Sequence, residues 1–425
     1  MALTLLLAMG CVPALNQEKA REANTAVPGS FGDDQVVGGE AAQPTASSAE
    51  KVWSEFFTDP HLRALIETAL ENNQELNIRL QEIIVAQSEV LDKKGEYLPK
   101  VGLGVGAGIE KPGAYTSQGV SDEANDVATN LPDYRFGLGA SWELDIWKKL
   151  RNSAKSARFR YLASIEGRNF VVTQLVAEIA NSYYELLALD SRLEVLKANI
   201  QIQKSALDVV KMEKAAGRVT ELAVKRFEAE VLKNQSLQYS LEQQIIETEN
   251  RINFLVGRFP QPVARNAEAF EGPLPNVVEA GIPSQLLDNR PDVRQAELEL
   301  EARKLDVKVA KARFYPSLSI EAGVGYESFN IKHLVQTPES LIYNVAGNLM
   351  APLLNRNAIK AQYFSANAKQ IQAVFNYERT LLQAFTDVAN LLAMIKNMQE
   401  SYDRGSQQVD ALVESVAISN VLFQS

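Results

Sequence analysis

Cysteine and histidine are nearly missing from this chain. Among its 425 residues there is one cysteine, Cys11, and there are two histidines, His61 and His333. A single cysteine excludes an intramolecular disulfide and a thiolate zinc site. Two histidines so far apart offer no metal-ligand spacing, and no Ser-His-Asp set can be assembled from them. Carboxylate pairs fall on helix faces that read as solvated. The sequence therefore assigns no catalytic, cofactor-binding or metal-binding residue. An excess of positive charge is also lacking. The formal net charge is -10, which argues against a nucleic-acid partner, whose phosphates require Lys and Arg. Nor does any run reach the roughly 18 apolar residues of a transmembrane helix. The nearest, LTLLLAMG ahead of Cys11, has the length of a signal-peptide core.

Proline and glycine are absent over long stretches, and this sets the architecture. There is no proline between Pro132 and Pro260, and none after Pro352. From Lys148 to Ala216 the only glycine is Gly167. Val172, Leu175, Val176, Ile179, Tyr183, Leu186 and Leu187, then Leu193, Leu196 and Ile200, recur at spacings of three and four. One helix of roughly 100 Å is expected there, at 1.5 Å per residue. AAGRVTEL breaks it at Gly217. A second helix from about Thr220 to Val256 completes an antiparallel hairpin with Gly217, Arg218 and Glu221 at its tip.

Where glycine is abundant, it alternates. In VGLGVGAGIE (Val101 to Glu110) the apolar residues fall on one face and four glycines on the other. The spacing is wrong for a dinucleotide loop and right for a β-strand. The strand follows a helical run (about Glu75 to Gly95) and a proline, Pro99. FYPSLSIEAGVGYE repeats the pattern, with Pro316 matching Pro99 and Gly323 and Gly325 matching Gly106 and Gly108. A second strand follows each. In the first half it places Tyr134, Phe136, Leu138, Ala140, Trp142 and Leu144 on one face; in the second half, LIYNVAGNLMAPLL is less regular. TDVANLLAMIK, from Thr386, resembles AEIANSYYELL, from Ala177. The chain thus reads as two repeats, 51–257 and 288–425, joined by a Pro-rich connector, 258–287. Strands are expected at about 100–110, 134–146, 317–328 and 341–352. Ahead of the repeats lie the apolar segment 1–11 and a stretch rich in Ala, Gly, Ser and Pro, 12–50, read as a flexible tether. Order is expected from VWSEFFTDPHLRALI, with Thr58 or Asp59 capping a helix that has Pro60 in its first turn.

Four strands cannot close a barrel, which takes about eight. An open sheet edge cannot face lipid, because its unpaired N–H and C=O groups cost several kcal/mol each. Either the strands are not in a membrane, or several chains share one barrel, and the long amphipathic helices agree with the second. Leu103, Val105, Leu318 and Ile320 are expected to face lipid, and Gly104 and Glu321 the lumen.

IPSQLLDNRPDVRQAE (Ile282 to Glu297), WELDIWKKLR (Trp142 to Arg151), the proline before each strand hairpin and the duplicated halves resemble the outer membrane efflux protein family, the TolC-like channels of tripartite pumps. The resemblance spans about residues 50 to 425. It implies a mainly α-helical protein with a membrane β-barrel portion. In the trimer, three chains of four strands make a twelve-stranded barrel, and long helical hairpins make a periplasmic tunnel. It also implies a periplasmic adaptor, met at the hairpin tip through Gly217, Arg218 and Glu221, and through it an inner-membrane efflux transporter. LAMGC resembles a lipobox, which implies lipidation of Cys11 and anchoring to outer-membrane lipid. The function implied is a passive conduit for drugs, metals or other small solutes. A protein-secretion channel and a soluble coiled-coil scaffold are the alternatives; the strand hairpins, which a scaffold does not need, separate the last. The two long helices are offset by about 209 residues, so a second turn is due near residue 426. The sequence accordingly reads as lacking its second return helix, as a truncated gene or fragment would.

Overall fold

The alternation of VGLGVGAGIE is a strand, β1 (Lys100–Glu110). It is the first of four strands in one antiparallel sheet, ordered β1-β2-β3-β4, with β2 at Leu131–Leu144, β3 at Ser317–Ser328 and β4 at Leu341–Met350. This is seen in a computed structural model that describes residues 12–15, 21–28, 31, 52–266, 285–354 and 356–424. Cys11 and residues 267–284 of the connector lie outside the described residues.

β4 ends at Met350 rather than about residue 352, and both limits of β2 differ from expectation for local reasons. β2 starts three residues earlier than expected and includes Pro132, which pairs with Ile109 of β1. Pairing with β3 begins only at Tyr134, so the missing N–H of Pro132 leaves no gap on that side. β2 ends at Leu144 rather than residue 146 because Asp145 turns the chain into the next helix. Its carboxylate accepts the N–H groups of Leu150 and Arg151, both at 2.9 Å. Those are the donors that a helix start leaves unpaired.

The helices are α1 (Trp53–Phe56), α2 (Pro60–Asn72), α3 (Gln74–Glu96), α4 (Ser117–Ala124), α5 (Lys149–Ala215), α6 (Glu221–Val256), α7 (Gln285–Asn289), α8 (Pro291–Ala312) and α9 (Asn357–Gln424). α5 has 67 residues and α9 has 68, in line with the duplication. The order α3-β1-β2-α5 recurs as α8-β3-β4-α9.

Contacts divide the chain into two units. One holds the sheet with the adjoining parts of α3, α5, α8 and α9, together with residues 12–15 and 21–24. Within it Ser156 of α5 donates to the Ala302 carbonyl and the Asp306 carboxylate of α8, and Arg160 pairs with Asp306. The other unit holds α2, α6 and the rest of α5 and α9. Its core joins Leu62, Ile66 and Ala69 of α2 to Ile179, Tyr183 and Leu187 of α5 and to Ile252 and Val256 of α6. Further along the hairpin Leu196 and Ile200 meet Leu241, and Leu207 meets Val224 and Val231. Apart from Leu207, every apolar position of α5 used here lies on the stripe that the three-and-four spacing marks out. Asp59 caps α2, accepting from the His61 and Leu62 N–H groups at 2.7 and 3.3 Å. It also accepts the buried Tyr183 hydroxyl at 2.8 Å.

The stretch read as a flexible tether needs correction where it is described. Arg21 pairs with Glu378 of α9 at 2.6 Å, and Glu22 with Lys304 of α8 at 3.0 Å. Val12 and Leu15 pack on the cluster of Phe314 and Tyr363. Its Ala- and Gly-rich composition suggested no such anchors, but a few charged and apolar side chains suffice to dock it.

Candidate functional site

The sheet carries the first candidate site. Its register puts Val101, Leu103, Val105 and Ile109 of β1 on the same face as Phe136, Leu138 and Trp142 of β2. Ile320 and Val324 of β3, then Tyr343 and Val345 of β4, continue that face without a charged residue. Val105 and Val345, on the two outer strands, are 80% and 78% exposed. A soluble sheet would cover such side chains; leaving them bare suits contact with lipid. The opposite face is mostly polar or small, with Ile342 and Met350 as the large apolar residues that β4 adds to it. Gly104, Gly137 and Gly325 lie in one row, next to Gly102, Gly139, Gly323 and Asn344 in another. Leu103, Val105, Leu318 and Ile320 therefore share one face and Gly104 and Glu321 the other, as the alternation requires.

Aromatic rings mark the middle and the foot of the apolar face. Phe136, opposite Val105, stacks on Tyr326 with ring centroids 5.4 Å apart. At the foot, where the long helices join, the Trp142 indole N–H donates to the Tyr97 carbonyl at 3.0 Å, and that of Trp147 to the Pro316 carbonyl at 2.8 Å. Each ring keeps its apolar body outside and satisfies its one polar group, as interface aromatics do. Among the described residues the outer edges of β1 and β4 have no partner within the chain. A lipid-facing sheet must close them, so the missing partners are strands of other copies.

The hairpin tip is the second candidate site. Gly217 has φ +74°, the left-handed region that favours glycine, and its N–H donates to the Lys214 carbonyl at 2.9 Å. The Arg218 N–H returns to the Glu213 carbonyl at 2.9 Å. Glu221 opens α6 and pairs with Lys214 across the turn, which holds its carboxyl below the ordinary range. Gly217, Arg218 and Glu221 are thus brought together at an exposed turn. Cys11, outside the described residues, is not placed by the structure.

Two arginine clamps were not singled out by sequence reasoning. Arg290, just before α8, pairs with Asp292 at 2.7 Å and with Asp387 of α9 at 3.4 Å, and donates to the Ala384 carbonyl at 3.2 Å. Arg265, early in the connector, pairs with both Asp190 of α5 and Glu249 of α6. The quoted RPD motif contained the first clamp. The α9 partners of Arg290, 94 and 97 residues away, carried no signal.

The family model described as "Outer membrane efflux protein" matches residues 65–258 and 282–425. Among curated relatives, the pyoverdine export outer membrane protein OpmQ of Pseudomonas putida is 30% identical over 387 residues, covering 90% of this chain and 80% of the relative. The cation efflux system protein CusC of Escherichia coli is 25% identical over 376 residues, covering 88% and 78%. Among solved structures, the open state of the Neisseria gonorrhoeae MtrE outer membrane channel has a TM-score of 0.80 at 22% identity, covering 96% of this chain and 88% of that one.

Proposed function

The chain belongs to the outer membrane efflux protein family and is a channel of the bacterial outer membrane; from that premise we propose that it is a passive conduit for small solutes, with no catalytic step of its own. The observation that carries this is the sheet, with one continuous apolar face, a polar glycine-rich face behind it and two unpaired edges. Three chains of four strands close a barrel of twelve, whose lumen is lined by the polar face. OpmQ, named for pyoverdine export, and CusC, named for cation efflux, support small solutes as cargo. Lipidation of Cys11 would add an anchor beside the barrel.

We further propose that the tip at Gly217, Arg218 and Glu221 receives the periplasmic adaptor, through which the inner-membrane transporter drives export. Exposure of an ordered turn with paired charges supports this reading.

The test is expression in a strain lacking its own efflux channel. The protein is expected in the outer-membrane fraction as a trimer and should restore resistance to a pumped compound. Recovery as a soluble monomer would refute the channel. Arg218→Glu should lower resistance at an unchanged trimer level; full resistance would refute the tip as the adaptor contact.

A further inference from the structure

A groove of about 390 Å³ lies below the foot of the sheet, between the end of α3 and the start of α5. Lys94, Arg151, Lys155 and Arg158 line it, with Tyr97 and Phe159 among its apolar walls. The α5 residues recur at spacings of three and four, so one helix face supplies them. Arg151 is held by Asp145 at 3.1 Å, and Lys155 lies over the Phe159 ring at 5.7 Å from its centroid. Among the described residues, Lys94 and Arg158 have no ion-pair partner.

This concentration of cations runs against the whole chain, whose net charge is -10. The twenty residues between Asp145 and Glu166 hold six Lys or Arg and no carboxylate. A second copy does not supply the missing charge. Its β4 is the strand that meets β1, so the run following its β4 would lie nearest α3. From Ser340 to Tyr377 that run has no Asp or Glu, and it adds Arg356, Lys360 and Lys369. At Tyr97 the groove adjoins the lipid-facing side of the sheet. Trp142, on the apolar face, donates to the carbonyl of Tyr97, one of the groove residues.

We infer that this groove binds the headgroup of an anionic phospholipid from the periplasmic leaflet of the outer membrane. The phosphate sits among Lys94, Lys155 and Arg158, and the acyl chains lie along Tyr97 toward the Trp142 end. Long Lys and Arg stems suit such a boundary, with carbon against lipid and charge at the headgroup level. The inference rests on the outer-membrane channel reading, because that reading puts the foot of the sheet at this leaflet.

The experiment is native mass spectrometry of the delipidated full-length trimer, titrated with phosphatidylglycerol or with phosphatidylcholine of the same acyl chains. Phosphatidylglycerol is expected to bind roughly tenfold or more tightly, a preference that weakens with salt. The variant K94Q/K155Q/R158Q should lose the preference. K94R/K155R/R158K should keep it, and so should K204Q, which removes a charge elsewhere on α5. Equal binding of the two lipids by the parent protein, or an unchanged preference in the triple Gln variant, would overturn the inference. Displacement of phosphatidylglycerol by millimolar inorganic phosphate would also overturn it, by showing a site for soluble anions. A parent trimer that forms but does not discriminate sinks the groove alone. A parent protein that never trimerises sinks the channel reading and the groove with it.

Discussion

Replacing Val105 with Arg should abolish assembly, whereas replacing the adjacent Gly104 with Ser should leave it nearly intact. β1 has 11 residues, about 37 Å of extended chain, and a tilt near 45° reduces this to about 26 Å, close to the roughly 25 Å apolar band of an outer-membrane barrel. Val105 is the sixth residue, near the bilayer midplane, and 80% of it is exposed. Arg at that depth costs roughly 2–4 kcal/mol. Three copies per trimer make this about 6–12 kcal/mol, comparable with the 5–15 kcal/mol that stabilises a typical domain. Gly104 faces the other way, and a Cβ there would meet no atom within 4 Å. A hydroxyl in an open aqueous lumen costs no more than about 0.5 kcal/mol.

Gly137, in the same row as Gly104, separates lumen exposure from simple tolerance. A Cβ at Gly137 would lie 2.6 Å from the Val324 carbonyl oxygen and 2.7 Å from the Gly325 Cα. Those atoms are backbone and can yield only if β2 and β3 part, so Gly137→Ala should cost roughly 1–3 kcal/mol per chain. The assay is the amount of heat-modifiable trimer in the outer-membrane fraction. The expected order is Gly104→Ser near the parent, Gly137→Ala reduced and Val105→Arg lowest. Equal trimer levels for Val105→Arg and Gly104→Ser would refute the assignment of lipid and lumen faces. Gly137→Ala at the level of Gly104→Ser would refute the close approach of β2 and β3.

Other consequences are open to measurement. Gly217→Ala places a side chain at φ +74° and should destabilise the turn by about 1 kcal/mol; proteolysis near residue 217 should quicken, and an unchanged rate would deny the strained turn. Tyr183→Phe removes the 2.8 Å bond to Asp59, a hydrogen bond to a charged acceptor worth roughly 1.5–3 kcal/mol, so the urea midpoint of trimer unfolding should fall. Glu378 accepts from Arg21 at 2.6 Å and from the Asn24 N–H at 2.8 Å, and its pKa is pulled from an ordinary 4.5 to about 2. A depressed carboxyl stabilises the docked segment above its unfolded pKa and loses that contribution as pH falls toward 2. Intrinsic-rate-corrected hydrogen exchange at residues 21–28 should rise between pH 4.5 and 2, while Glu378→Gln should exchange fast throughout that range.

The parts of this molecule that were legible in the sequence share one property: their cause lies within a few residues. The period of two in Val101 to Glu110 and of three to four in Val172 to Ile200 reports which face is buried, whatever the partner. Gly217 marks a turn because its own backbone needs φ > 0. The start of β2 is harder to read, because a proline normally argues against a strand and the acceptability of Pro132 depends on where β3 begins to pair. The clamps were harder still. Arg265 with Asp190 and Glu249, Arg290 with Asp387, and Arg21 with Glu378 each join ordinary charged residues from separate segments. Each partner alone is indistinguishable from a solvated side chain. The groove beneath the sheet obeys the same logic: Arg151, Lys155 and Arg158 read singly as the wet face of α5. They become unusual only once Lys94 is set opposite them and Trp142 ties that groove to the apolar face. A local rule finds the barrel and the hairpin, because burial repeats along the chain. What holds segments together, or recruits a ligand between them, is a single meeting of distant residues and leaves no period to read.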